Sequence, residues 1–182
     1  AVFSWGWFTF FLIVDLLMVG GLLQAVRWGV DRRSSGLQKR LQSAGAFPWW
    51  GWAGVAAGVA MWVLAWTRFE WFARFQPHTF APLWLCYILV VNALSFRGTG
   101  RCLMTSRPLY FLALFPASAV FWWFFEYLNR FVQNWHYAGS CFDAWEYFWY
   151  ATLPFSTVLP AVLSTCEVIR HSAWIQNGFG SL

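Results

Sequence analysis

The sequence predicts an all-α polytopic membrane protein, an antiparallel bundle of about five transmembrane helices joined by short loops. Three observations carry that fold class. Of 182 residues, 60% are hydrophobic and only 10% are charged. The apolar residues gather into blocks long enough to cross a bilayer. The basic residues fall in the gaps between the blocks, more of them in alternate gaps.

A soluble domain carries about 25% charged residues, and the mean hydropathy of +0.50 points the same way. Aromatics make up 23% of the chain, with 16 Trp and 20 Phe, more than one core of this size can enclose. Lipid accepts the remainder. A net charge of +5 on a soluble domain would suggest a nucleic-acid surface. Here the basic residues sit in short interblock gaps, and nucleic acid is set aside as a partner.

A hydrocarbon core of about 30 Å needs roughly 20 helical residues. The first span is read over residues 3–26 (Phe3–Val26) and holds one charge, Asp15. The second covers 47–67, and the third, 80–96, is the shortest. The fourth covers 109–128 and the fifth 145–166, with an interfacial tail from Glu167. Strands would require a closed barrel and an alternating pattern, which is absent. The whole chain, 1–182, reads as a single membrane domain. No signal peptide is expected, because the first block is too long for one and lacks a small-residue cleavage site.

Charge sets the orientation. Residues 27–46 carry Arg27, Arg32, Arg33, Lys39 and Arg40 against Asp31, a net +4, and Ser34–Ser35–Gly36 reads as a turn there. Arg97, Arg101 and Arg107 give the third gap +3, whereas 68–79 nets +1 and 129–144 nets zero. The N-terminus is therefore expected outside, with 27–46 and 97–107 cytoplasmic, in an inner or plasma membrane of the bacterial type. Short loops predict that sequential helices pack as antiparallel neighbours.

Within the second span, Gly54 and Gly58 form a low-relief seam, as do the pairs Ala53/Ala57 and Ala56/Ala60. The seam suits another helix of this chain or a membrane protein partner. Many Trp lie near span ends, among them Trp5, Trp28, Trp49, Trp66, Trp135 and Trp145, as in an interfacial belt. The run Trp122–Trp123–Phe124–Phe125 also suits a lipid, quinone or pigment site. Pro116, Pro154 and Pro160 fall inside the last two spans and predict bends there.

Metal and cofactor chemistry is poorly supported. Cys86, Cys102, Cys141 and Cys166 form no CxxC or CxxCH pattern, and His78, His136 and His171 have no ligand spacing. No span contains His, against a bis-histidine haem. There is no HExxH, GxGxxG or Walker A motif. The loop FRGTGR, residues 96–101, suits anionic-lipid or phosphate contact. No metal site is expected, and the sequence assigns no cofactor.

Polar residues inside the spans are the candidate site. Asp15 lies about 18 Å along the helix from Phe3. It must face protein or water, or be protonated, because lipid would penalise its charge. Proton or cation handling or ligand binding is one role; a structural hydrogen bond, with Asn92 as a neighbour, is the other. Asn92 itself reads as helix glue. In WWFFEYLNRFVQNWHY, residues 122–137, a continued helix puts Glu126, Asn129, Arg130 and Gln133 on one face, with Glu126 and Arg130 spaced for an ion pair. Glu146, His136 and His78 would join them toward the outer side. Paired Glu126 and Glu146 carboxylates are the acid–base version, with Arg130 gripping a carboxylate or phosphate and His136 as a shuttle.

Three functions follow. The preferred one is a noncatalytic membrane subunit or binder that accommodates a lipophilic ligand or partner protein. The second is a membrane enzyme acting on a lipid or isoprenoid from the outer half of the bilayer through Glu126, Arg130, His136 and Glu146. The third is a small transporter component using Asp15. Membrane lipids are partners in all three, and a partner protein would approach through Gly54 and Gly58.

Overall fold

The computed structural model describes residues 5–31, 45–137 and 142–171. The expected Ser34–Ser35–Gly36 turn, Cys141 and the tail beyond residue 171 lie outside them. The described chain is helical and contains no strand: α1 (Trp5–Asp31), α2 (Trp49–Thr67), α3 (Phe80–Thr99), the single-turn α4 (Leu103–Ser106), α5 (Pro108–Val132) and α6 (Ala144–His171). Two short 3-10 turns, Glu70–Phe72 and Gln76–His78, link α2 to α3. Among the described residues, four segments are long and apolar enough to cross a membrane: α2, α3 with the turn before it, α5 and α6. In α1 the apolar stretch Trp5–Leu17 is shorter.

The helix ends follow from local chemistry. Pro48 precedes α2 in an extended conformation, and Arg68 ends that helix with φ 49°. Gly100 closes α3 at φ 68°, where a side chain would be strained, and its N–H donates to Phe96 O at 2.7 Å. Pro108 opens α5 at a position where the missing N–H has no helical partner to lose. Gln133 stops α5 at φ 52°. Asp143 caps α6, its Oδ1 accepting from the N–H groups of Trp145 and Glu146, both at 2.8 Å.

The helices lie in the order α1–α5–α6–α3–α2, with α6 between α3 and α5. The hairpins α2/α3 and α5/α6 are the antiparallel neighbours that short loops predict. The remaining contacts differ from that expectation: α1 rests on α5 rather than on α2, and α3 and α6 lie side by side in parallel. The reason is on the facing surfaces. Asn92, Ser118, Thr157 and Ser164 are at most 2% exposed, and Ala93 and Ala161 are buried with them. Small and hydrogen-bonding residues let these helices approach without a large apolar core, as in bilayers. Bulky residues point outward instead: Leu109, Trp49 and Trp66 are 83%, 80% and 73% exposed. Such a surface fits hydrocarbon, not water.

Gly51, Gly54 and Gly58 of α2 face α3. A Cβ on Gly54 would stand 3.1 Å from Leu89 Cβ, and one on Gly58 would stand 3.3 Å from Cys86 Cβ. The glycine seam is therefore filled by a helix of the same chain.

Two polar clusters fasten α6. Asn92 Nδ2 donates to Ile88 O at 2.9 Å and to Ser164 Oγ at 2.8 Å, and its Oδ1 accepts from Met104 N–H at 3.1 Å. Glu167 Oε2 accepts from Leu103 N–H at 2.7 Å, so α3 and α6 together satisfy the start of α4. Deeper in α6, Ser118 Oγ donates to Phe155 O at 2.5 Å and accepts from Leu159 N–H at 3.0 Å. A regular turn would join those two backbone groups directly. The hydroxyl from α5 bridges them between Pro154 and Pro160, where the proline rings interrupt the ladder.

Candidate aromatic ligand site

The end of the bundle that carries the α5–α6 connection is built around one carboxylate. Glu126 is buried on α5, which runs a full turn past residue 128 before Gln133 stops it. The chain then folds back. Asn129 Nδ2 donates to Trp135 O at 2.8 Å, while Trp135 N–H donates to Asn129 Oδ1 at 3.2 Å. That paired clamp returns the Trp135 ring to α5, and its Nε1–H donates to Glu126 Oε1 at 3.0 Å. Tyr137 adds a 2.6 Å bond to the same oxygen, and Tyr147 on α6 reaches Oε2 at 3.2 Å. All three partners donate, the arrangement an ionised carboxylate satisfies.

Beside this cluster lies a cleft of about 410 Å³, open on one side. Phe80 of α3, Trp122 of α5 and Tyr147, Tyr150 and Phe155 of α6 form its walls, and Tyr137 and Phe142 enter from the connection. Trp122 stacks on Phe155 with centroids 5.9 Å apart. Tyr150 lies between the rings of Phe142, at 4.1 Å, and His78, at 4.0 Å, and its hydroxyl hydrogen-bonds His78 Nε2. Pro154 and Ala151 line the floor. The small Ala151 side chain and the compact Pro154 ring leave room where bulkier side chains would fill it. The volume falls within the range of small-ligand sites, which are mostly apolar with a few placed polar groups.

The other candidate residues lie apart from this cleft. Arg130 is exposed and is not bonded to Glu126, whose acceptors face the aromatic donors instead. His136 and Glu146 are exposed, with Glu146 in the first turn of α6, where a negative charge favours the helix. Asn92 belongs to the α3–α6–α4 cluster and is not bonded to Asp15. Asp15 is 6% exposed on α1, and among the described residues neither carboxylate oxygen has a hydrogen-bond partner. Its neighbour one turn earlier, Phe11, contacts Tyr127 of α5 at 6.0 Å. Among the described residues, no three His, Cys, Asp or Glu side chains are grouped as metal ligands.

Sequence reasoning missed Tyr137, Tyr147, Ser164 and Glu167. The signal for the last two was a small polar residue and an acid one turn apart at the end of an apolar helix. For the tyrosines, the signal was a buried acid that needed donors, but nothing in the spacing chose among six tyrosines.

No family model matches the chain, and no curated protein or solved structure is similar to it.

The Tyr137 ring is half exposed, but its hydroxyl end abuts Glu126. Withdrawal from water and, next, the hydrogen bond and charge of Glu126 push its pKa well above the usual tyrosine range. A group whose pKa is raised on folding stabilises the fold below its unfolded value, near 10, and loses that contribution as pH rises from there toward the folded value. Thermal unfolding in detergent should thus show an alkaline loss of stability above pH 10 that is smaller in Tyr137→Phe. Equal losses in the two proteins would contradict the assigned hydrogen bond.

Proposed function

We propose that this chain is a noncatalytic integral membrane subunit or binder that accommodates a lipophilic ligand in the cleft beside Glu126. The observation that carries the reading is the cleft itself, seven aromatic rings around about 410 Å³ at one end of a lipid-facing bundle. The charge pattern supports an orientation with the N-terminus outside and residues 97–107 cytoplasmic. The cleft then opens at the outer end, within reach of molecules dissolved in that leaflet. A catalytic reading would call on Arg130, His136 and Glu146 beside Glu126, and those three side chains point to solvent instead. Partner contact through Gly54 and Gly58 would have to displace α3; the outward Ala53, Ala56, Ala57 and Ala60 side of α2 suits it better.

Native mass spectrometry of the protein extracted in a mild detergent tests the proposal. A discrete lipophilic adduct is expected, and Ala151→Phe, which extends a side chain into the cleft floor, should reduce its occupancy at least about fivefold, equivalent to about 1 kcal/mol. Unchanged occupancy in a folded Ala151→Phe variant would remove the cleft from the proposal.

Asp15 supports a second reading. A buried carboxylate in an apolar helix, with no hydrogen-bond partner among the described residues, is costly unless it is neutral or meets a cation. A small transporter component using Asp15 would lose function in a folded Asp15→Asn variant, whereas a structural acid would tolerate the change.

A further inference from the structure

We infer that the ligand of the aromatic cleft carries an organic ammonium group, a trimethylammonium or alkylamine head on an apolar body; this rests on the cleft being the ligand site. The cleft offers a cation what it needs and offers an anion little. Its lining is aromatic, with the rings of Trp122, Tyr147, Tyr150 and Phe155 drawn from two adjacent helices. Aromatic linings attract ammonium groups, most strongly where water is excluded.

Behind two of the lining rings, Tyr137 and Tyr147, stands the Glu126 carboxylate. It accepts the hydroxyl hydrogens of Tyr137 and Tyr147, so neither phenol turns its proton to the cleft, and both carry the carboxylate's field toward it. The Trp122 N–H has no partner among the described residues but is shielded from solvent, so it presents no donor at the cleft surface. Among the described residues, no basic side chain lines the cleft. Arg130 is near enough to Tyr147 to act on it electrostatically, yet it is exposed and outside the lining. A carboxylate that is 8% exposed and, among the described residues, hydrogen-bonded only to neutral groups gains most from a desolvated cation held one ring away.

The test is a matched pair of probes, hexyltrimethylammonium and its uncharged isostere ending in a tert-butyl group, titrated calorimetrically into protein in maltoside micelles with empty micelles subtracted. The ammonium compound is expected to bind about tenfold more tightly, and Glu126→Gln should bring the two affinities together. Should Glu126→Gln fail to fold, as judged by its unfolding curve, Tyr150→Leu gives the same discrimination. It removes a wall and leaves the Glu126 bonds intact, and it should weaken the ammonium probe more than the isostere. Equal binding of the two probes to the unaltered protein would overturn the ammonium assignment and leave the lipophile site standing. Binding of neither would overturn both. A preference that survives in both variants would place the cation elsewhere and also overturn the assignment.

Discussion

Replacing Glu126 with Ala is expected to destabilise the folded protein by about 3 kcal/mol, because three donors lose one shared acceptor. Trp135, Tyr137 and Tyr147 converge on that carboxylate from two segments. Without it, the connection between α5 and α6 is held there mainly by the Asn129 clamp on the Trp135 backbone. Hydrogen bonds to a charged group are worth about 1.5–3 kcal/mol each, and the exposed position of Tyr137 lets water recover part of the loss, so the sum stays well under three full bonds. Glu126→Gln keeps an acceptor oxygen for Trp135 and Tyr137 and should cost about 1 kcal/mol. Unfolding in mixed micelles of dodecyl sulfate and maltoside measures both. Equal stability of the Ala variant and the unaltered protein would mean that the carboxylate does not organise this end.

Adding a single methyl group at Gly51 should have an effect of similar size. A Cβ there would lie 2.4 Å from Ala93 Cβ and 2.6 Å from the Phe47 ring. Phe47 can turn aside, but Ala93 Cβ is fixed to the backbone of α3, so α2 must move away. Overpacking of this sort costs about 1–3 kcal/mol, and Gly51→Ala belongs at the upper end. The same substitution at Gly58 meets only Cys86 Cβ at 3.3 Å. There the gain of about 1 kcal/mol in helix propensity offsets the tight contact, and the net change should be near zero. Gly54, whose added methyl would meet Leu89 at 3.1 Å and Val90 at 3.3 Å, falls between them. A ranking of Gly51, Gly54 and Gly58 by loss of stability in the same micelles tests the α2–α3 contact. A larger loss at Gly58 than at Gly51 would contradict it.

The helices were legible in the sequence because hydrophobic length is a direct physical requirement of the bilayer, and α2, α3, α5 and α6 stand where apolar blocks are interrupted by charge. Their neighbours were not. Nothing along the chain said that α6 would enter between α3 and α5, because that choice lies in isolated small polar residues. Ser118 and Ser164 look incidental in sequence and are buried contacts in space. The Glu126 region was legible as a place but not as an arrangement. The i, i+4 spacing favoured Arg130 as the partner of Glu126, yet the helix ends at Gln133 and the returning chain brings neutral aromatic donors that can be buried with the acid at lower desolvation cost. Trp135 was visible only as an interfacial aromatic. Its second role follows from the Asn129 clamp, a tertiary feature without a sequence signature.

The binding proposals presuppose a bundle that spans the bilayer and opens its cleft at one face. Single cysteines placed at Asn134 and at Gly98, both exposed and at opposite ends of α5 and α3, can be probed with an impermeant maleimide in sealed inside-out and right-side-out vesicles. Asn134 should react only from the outer face and Gly98 only from the cytoplasmic face. Reaction of both positions from one face would contradict the spanning arrangement and, with it, the lipid-facing cleft.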